Sequence, residues 1–262
     1  MSAPADDPAI VTDDLTKRYG EVTAVEGLTA TIERGSVYGF LGPNGAGKTT
    51  TMRMLTTLTR PTSGRARVAG VSIENRAAVT PHVGYLPEEP PVYDELTGRE
   101  QLEYMAGLRN MPAERADERI DALLDRFDLA GVADRRIDAY SKGMRQKTGV
   151  IQAVLHEPAV VFLDEPTSGL DPRAARTMRD TIADLADQEM TVFLSTHILS
   201  VVDELADEVG VLHEGRLVAE GPPEELKTRA ESSASTLEDA FLQVTDDGVA
   251  GDSTDAGPTT TD

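Results

Sequence analysis

The 262-residue chain contains no cysteine. That excludes a disulfide framework, a cysteine metal site and a thiol nucleophile. It is also short of positive charge, with 25 Lys and Arg against 46 Asp and Glu, a formal net charge of −21. A nucleic-acid binder carries a basic footprint, so no nucleic-acid partner is expected. No apolar run approaches the about 18 residues that a membrane span needs. Met1–Asp7 offers neither a basic n-region nor an apolar h-region, so it does not read as a signal peptide. A soluble, cytoplasmic chain is expected. Its length allows one domain or two and a sizeable core. The acidic excess is spread along the sequence, which suggests a salt-adapted source. At 1 M salt the Debye length is about 3 Å, short enough to screen such self-repulsion.

What is present is more specific. Gly42-Pro43-Asn44-Gly45-Ala46-Gly47-Lys48-Thr49-Thr50 fits the P-loop pattern G-x-x-x-x-G-K-[ST]. Phosphates need close donors and little side-chain bulk. The glycines let backbone N–H groups turn inward, and the following helix points its positive end at the anion. Lys48 is placed to reach the β- and γ-phosphates, and the Thr49 hydroxyl to ligate Mg²⁺. The flanks agree: Ser36–Leu41 reads as a strand and Thr49–Thr57 as a helix start.

A second element joins it. Val160-Val161-Phe162-Leu163-Asp164-Glu165 is an apolar run ending in two acids. That is how a buried parallel strand ends at a metal site. Asp164 is placed to hold Mg²⁺, directly or through water. Glu165 points elsewhere and is placed to orient or deprotonate a water.

With these residues the chain resembles the nucleotide-binding subunits of ABC transporters, from about Ile10 to about Gly221. Tyr19, in Lys17-Arg18-Tyr19-Gly20, matches the aromatic that stacks on adenine. Tyr140-Ser141-Lys142-Gly143-Met144-Arg145-Gln146 matches the signature loop, and Ser168-Gly169-Leu170-Asp171 the D-loop. His197 matches the switch histidine. The six motifs stand in the family's order. Two positions depart from it. Glu88 stands where the family usually has the Q-loop glutamine. A carboxylate ligates Mg²⁺ more strongly than an amide carbonyl but repels an unshielded phosphate. The signature has Tyr140, Lys142 and Met144 at its variable places but keeps Ser141 and Gly143, which the resemblance implies bind the γ-phosphate at a helix N-terminus.

The resemblance implies an α/β fold of the ABC type of P-loop NTPase. A mostly parallel sheet core would carry an antiparallel β subdomain and an inserted helical subdomain. Expected strands are Ile10–Val11, Leu28–Ile32, Ala66–Val71, Val83–Pro87, Val160–Leu163, Thr191–Leu194, Val209–Leu212 and Arg216–Ala219. Alternation of strands with helices argues for a largely parallel sheet. Thr97-Gly98-Arg99-Glu100 is a capping-box pattern opening a helical region. Residues 8–225 read as the ATPase domain, with the helical subdomain at about 90–155. Residues 226–245 read as a C-terminal helical extension containing Thr236–Leu242, and 246–262 as a disordered acidic tail.

The implied activity is ATP hydrolysis with Mg²⁺, powering a transporter, in the form typical of drug, lipid and polysaccharide exporters. Glu165 and His197 are the catalytic candidates. Tyr19, the Gly42–Thr50 loop, Ser141 and Gly143 are the ATP-binding candidates, and Thr49, Asp164 and Glu88 the metal candidates. Implied partners are a second copy or a paralogous cassette, packed head to tail, and a transmembrane permease received near Glu88–Leu96. The chain would sit on the inner face of the membrane only through that permease. The rival reading is a soluble ABC ATPase of an assembly machine with no pore.

Overall fold

The computed structural model describes residues 7–186 and 190–229. β1 (Ile10–Tyr19) and β2 (Val22–Ile32) form a hairpin. With β4 (Ser63–Val68) and β5 (Val71–Ser72) they build an antiparallel sheet in the order β2-β1-β4-β5. The run read as one strand over Ala66–Val71 is broken. Ala69 (φ 51°) and Gly70 (φ 78°) make a left-handed turn that folds β5 back on β4. Conversely, Ile10–Val11 is only the start of a ten-residue strand. The polar residues that surround Leu15 between Thr12 and Arg18 hide strand character that pairing on both edges supplies.

The central sheet has six strands. β3 (Val37–Leu41), β6 (Val83–Leu86), β7 (Val160–Asp164), β8 (Thr191–Thr196) and β9 (Glu208–His213) run parallel in the order β9-β3-β8-β7-β6. β10 (Arg216–Gly221) pairs antiparallel with β9 at the edge. The sequence expectation had placed it in the alternating series. Glu214 (φ 46°) and Gly215 (φ 81°) are the whole connection, and two left-handed residues make a hairpin turn, not a crossover.

Both faces of the parallel strands are covered, so their sequences read as nearly unbroken apolar runs. One face presents Tyr38, Phe40, Phe162 and Phe193 to α1 (Lys48–Leu55), the short α2 (Arg76–Val79) and the antiparallel sheet. Only 4% of the chain is aromatic. Yet Phe193 sits with its ring centroid 5.1–5.3 Å from those of Tyr38, Phe40 and Phe162. The other face presents Val161, Leu163, Val192 and Leu194 to helices. These include α3 (Gly98–Leu108), α4 (Ala113–Arg126), α5 (Lys142–Val154) and α6 (Pro172–Ala186). The stripe of Ile120, Leu123 and Leu124 on α4 packs in the same cluster as Leu86 and Leu163, so helical region and sheet share one core. α3 starts where its capping box says: Thr97 accepts from Glu100 N, and the Glu100 carboxylate accepts from Thr97 N at 2.8 Å. A short helix, α7 (Leu199–Leu205), follows β8, and Pro223–Arg229 is the last described helix. The expected helix at Thr236–Leu242 and the tail at 246–262 lie outside the described residues.

Candidate active site

β3 is buried throughout and delivers the chain to Gly42 at its carboxyl end. From Gly42 the backbone loops and enters α1 at Lys48. Two glycines there are steric necessities. Gly47 has φ 107°, and a Cβ on it would lie 2.3 Å from Ala24 O. A Cβ on Gly42 would lie 2.4 Å from Leu212 O. The loop is thus pressed against β2 and β9 on one side, while Asn44, Gly45, Gly47 and Lys48 line the cleft on the other.

The cleft above it has a volume of about 310 Å³. Asn44, Lys48, Thr49, Glu88, Asp164 and Glu165 are among its walls. Lys48 is 6% exposed. Its ammonium donates to Gly42 O at 2.6 Å and Pro43 O at 3.1 Å, and lies 3.4 Å from Glu165 Oε1. The Asp164 carboxylate is held on both sides: Thr49 donates to Oδ2 at 2.8 Å and Ser195 to Oδ1 at 2.5 Å. Burial and the charge of Asp164 push the nearby Tyr85 phenol above its ordinary value, against a pull from Arg53.

Glu165 leaves the strand with φ 49°, a left-handed backbone that costs a residue with a side chain about 1–2 kcal/mol. The turn directs its carboxylate back into the site instead of outward. There His197 Nδ1 lies 3.0 Å from Oε1, and Thr196 donates to Oε2 at 3.2 Å. The strand-end pair therefore diverges as expected, Asp164 toward Thr49 and Glu165 toward Lys48 and His197. Glu88 also borders the cleft, with Asp164 and Glu165.

The remaining candidates stand apart from this cluster. Tyr19 ends β1, 48% exposed, with the Lys17 ammonium 4.9 Å over its ring, and does not line the cleft. Ser141 caps α5, its hydroxyl accepting from Met144 N at 3.3 Å. The first turn of that helix carries no acidic side chain, so its positive end is uncompensated. Gly143 faces Ala174 on α6. The Lys142 side chain lies against Gly169, which ties the signature loop to the Ser168–Asp171 loop. Neither Ser141 nor Gly143 lines the cleft of the same chain.

Sequence reasoning gave His197 a role but none to Ser195 and Thr196, which precede it. Both are fully buried. Two hydroxyls directly after the apolar run Val192–Leu194 were the available signal, because buried polar groups need partners.

A larger cleft, about 740 Å³, lies elsewhere, between the Arg76–Pro81 segment and the ends of α3 and α5. Leu108, Arg109 and His156 are part of its wall. Burial and the adjacent Arg109 push His156 down to about 4, so it is neutral near pH 7.

Comparison with known proteins agrees with this geometry. A family described as ABC transporter matches residues 25–168. The daunorubicin resistance ATP-binding protein DrrA3 of Streptomyces coeruleorubidus is 44% identical over 84% of this chain and 70% of its own length. The bacitracin transport ATP-binding protein BcrA of Bacillus licheniformis is 41% identical over 84% of this chain and 72% of its own. A solved ATP-binding subunit of an ABC transporter superposes with a TM-score of 0.81 at 28% identity, covering 90% of this chain and 99% of that one. The cbiO1 component of the cbiONQ ABC transporter complex of Clostridium perfringens superposes at 0.78 with 25% identity, over 84% and 91%. With its phosphate loop, its paired strand-end acids and these relatives, the chain belongs to the ABC transporter family and is one of its ATP-binding, ATP-hydrolysing subunits.

Proposed function

We propose that this subunit powers an exporter, together with a separate transmembrane permease and a second cassette packed head to tail. The observation that carries the catalytic reading is the convergence of Lys48, Asp164 and Glu165 on one cleft. ATP phosphates lie along Gly42–Thr50, with Lys48 on the β- and γ-phosphates. Glu165 orients and deprotonates the attacking water, and His197 stabilises charge on the transferred phosphoryl. The oxygen donors of Thr49 and Asp164 suit Mg²⁺, with Glu88 facing the same cleft; the ion would supply positive charge against the phosphate oxygens.

The second cassette follows from the separation of Ser141 and Gly143 from the cleft. The uncompensated start of α5 suits the γ-phosphate of a neighbouring chain. Each ATP then bridges two subunits, and Tyr19 stacks on its adenine from an exposed position. Hydrolysis removes the bridge.

Residues 8–225 form the ATPase domain, and the 90–155 region receives the permease. Its surface supports this. Tyr93 and Tyr104 meet edge to face, centroids 5.7 Å apart, and both stay about half exposed. Leu108 beside them is 60% exposed. The loop below is tied to α3, where Gln101 accepts from Tyr93 N at 3.0 Å, and to the signature helix α5, where Arg145 donates to Asp94 at 2.5 Å. Motion of α5 would therefore reach that surface. The relative named for daunorubicin resistance favours export, and the one named for bacitracin transport is compatible with it. The site would lie at the inner face of the membrane, reached through the permease.

The test is purification of the tagged chain from detergent-solubilised membranes of its own host. A stoichiometric companion with several membrane spans is expected. An active ATPase that enriches no membrane protein would favour a soluble assembly machine instead.

A salt-adapted source is part of this proposal. With a net charge of −21, added salt screens long-range repulsion, while the exposed ion pairs it weakens are worth only about 0–1 kcal/mol each. The thermal midpoint is expected to rise from low to molar KCl. A midpoint that stays flat or falls would refute the adaptation.

A further inference from the structure

We infer that Thr196 is a positioning residue for Glu165, fixing its carboxylate against the attacking water; this rests on the reading of Glu165 as the base. Thr196 is the last residue of β8 and is fully buried. Its hydroxyl has two partners: Ile198 N–H at 3.0 Å and Glu165 Oε2 at 3.2 Å. A hydroxyl owns one hydrogen and two lone pairs. The Ile198 N–H can only donate, so it occupies a lone pair. An ionised carboxylate can only accept. The single hydroxyl hydrogen is therefore aimed at Glu165, and the Ile198 donor polarises it further.

Glu165 needs this support for a geometric reason. At φ 49° it has left the strand, so the pleat no longer sets the direction of its side chain. Its main chain is still gripped by β8, Glu165 N donating to Ser195 O at 3.0 Å. The other carboxylate oxygen, Oε1, is shared by Lys48 and His197. Both have work elsewhere in the reaction: Lys48 on the phosphates, and His197, whose side chain is 45% exposed, at the mouth of the site. Among the described residues the Thr196 hydroxyl holds Ile198 and Glu165, while its carbonyl separately accepts from Gly42 N at 3.3 Å, a main-chain bond that a side-chain substitution leaves in place. The last two residues of β8 thus serve the two acids at and just past the end of β7, Ser195 holding Asp164 and Thr196 holding Glu165. A displacement of about 1 Å in such a group costs on the order of 10²-fold in rate.

Steady-state ATPase kinetics of Thr196→Val, Thr196→Ser, Glu165→Gln and the Thr196→Val/Glu165→Gln double variant test the assignment. Valine keeps the shape and removes the hydroxyl. Its kcat is expected to fall about 10–100-fold with KM for ATP within about twofold, since alignment is lost and binding is not. Serine keeps the hydroxyl and is expected within about threefold of the parent. In the Glu165→Gln background, valine is expected to remove nothing further, because the residue it positions is already disabled. An unchanged kcat in Thr196→Val overturns the inference while leaving Glu165 intact as the base. So does an equal fractional loss in the Glu165→Gln background, which would mark a structural role through Ile198. If valine prevents folding, the serine variant decides: a loss of tenfold or more despite its hydroxyl overturns the inference. Full turnover in Glu165→Gln would overturn the base assignment itself.

Discussion

Glu165→Gln is expected to bind ATP with unchanged affinity and to hydrolyse it slower by about 10²–10⁴-fold, the usual cost of losing an aligned base. The amide keeps the size of the carboxylate, so the cluster should persist. Lys48 keeps Gly42 O and Pro43 O as acceptors, and Thr196 can still donate to the amide oxygen. What goes is the capacity to take a proton. Because the ATP bridge between two subunits is then not consumed, the variant should accumulate as a dimer. Nucleotide titration, single-turnover hydrolysis and size-exclusion with ATP read the three effects separately. Wild-type turnover would remove Glu165 from the mechanism.

Lys48→Ala is expected to fail one step earlier. The ammonium is nearly buried at the floor of the cleft, already pointed by two loop carbonyls. Charge-assisted hydrogen bonds contribute about 1.5–3 kcal/mol each, so losing two to the phosphates weakens ATP binding by about 10²–10⁴-fold. The loss also strips a cation from Glu165, but His197 and Thr196 still contact that carboxylate, so folding should survive. Lys48→Arg should not restore affinity. Its planar fork cannot follow the path of a point charge held between Gly42 O and Pro43 O. Fluorescent-nucleotide titration and thermal melts separate the effects. Affinity within threefold of the parent would assign Lys48 to holding the loop alone.

The local features were legible because local sterics and short hydrogen bonds decide them. Gly47 announces a left-handed position, Thr97 and Glu100 a capping box, Ser141 an N-cap, and the run ending at Asp164 a buried strand. Each is settled within a few residues of itself. The order of the six motifs identified the fold class on the same basis.

What tertiary structure alone decided is which ends meet. Asp164 and Ser195 are 31 positions apart, and only the parallel register of β7 with β8 sets them side by side. A one-residue slip would turn Ser195 to the other face and leave Asp164 short of a donor. The left-handed backbone of Glu165 was likewise unreadable, since glutamate seldom adopts it and the surrounding cluster holds it there. β10 turned antiparallel through a two-residue loop, and Glu88, two residues past β6, came to the same cleft as Asp164 through the pairing of β6 with β7. By itself the sequence determined the phosphate loop, the acids and the apolar runs of the buried parallel strands. Strand order and register determined the site, because they rest on long-range closure in which distant apolar faces are buried together, and no window of sequence contains both partners.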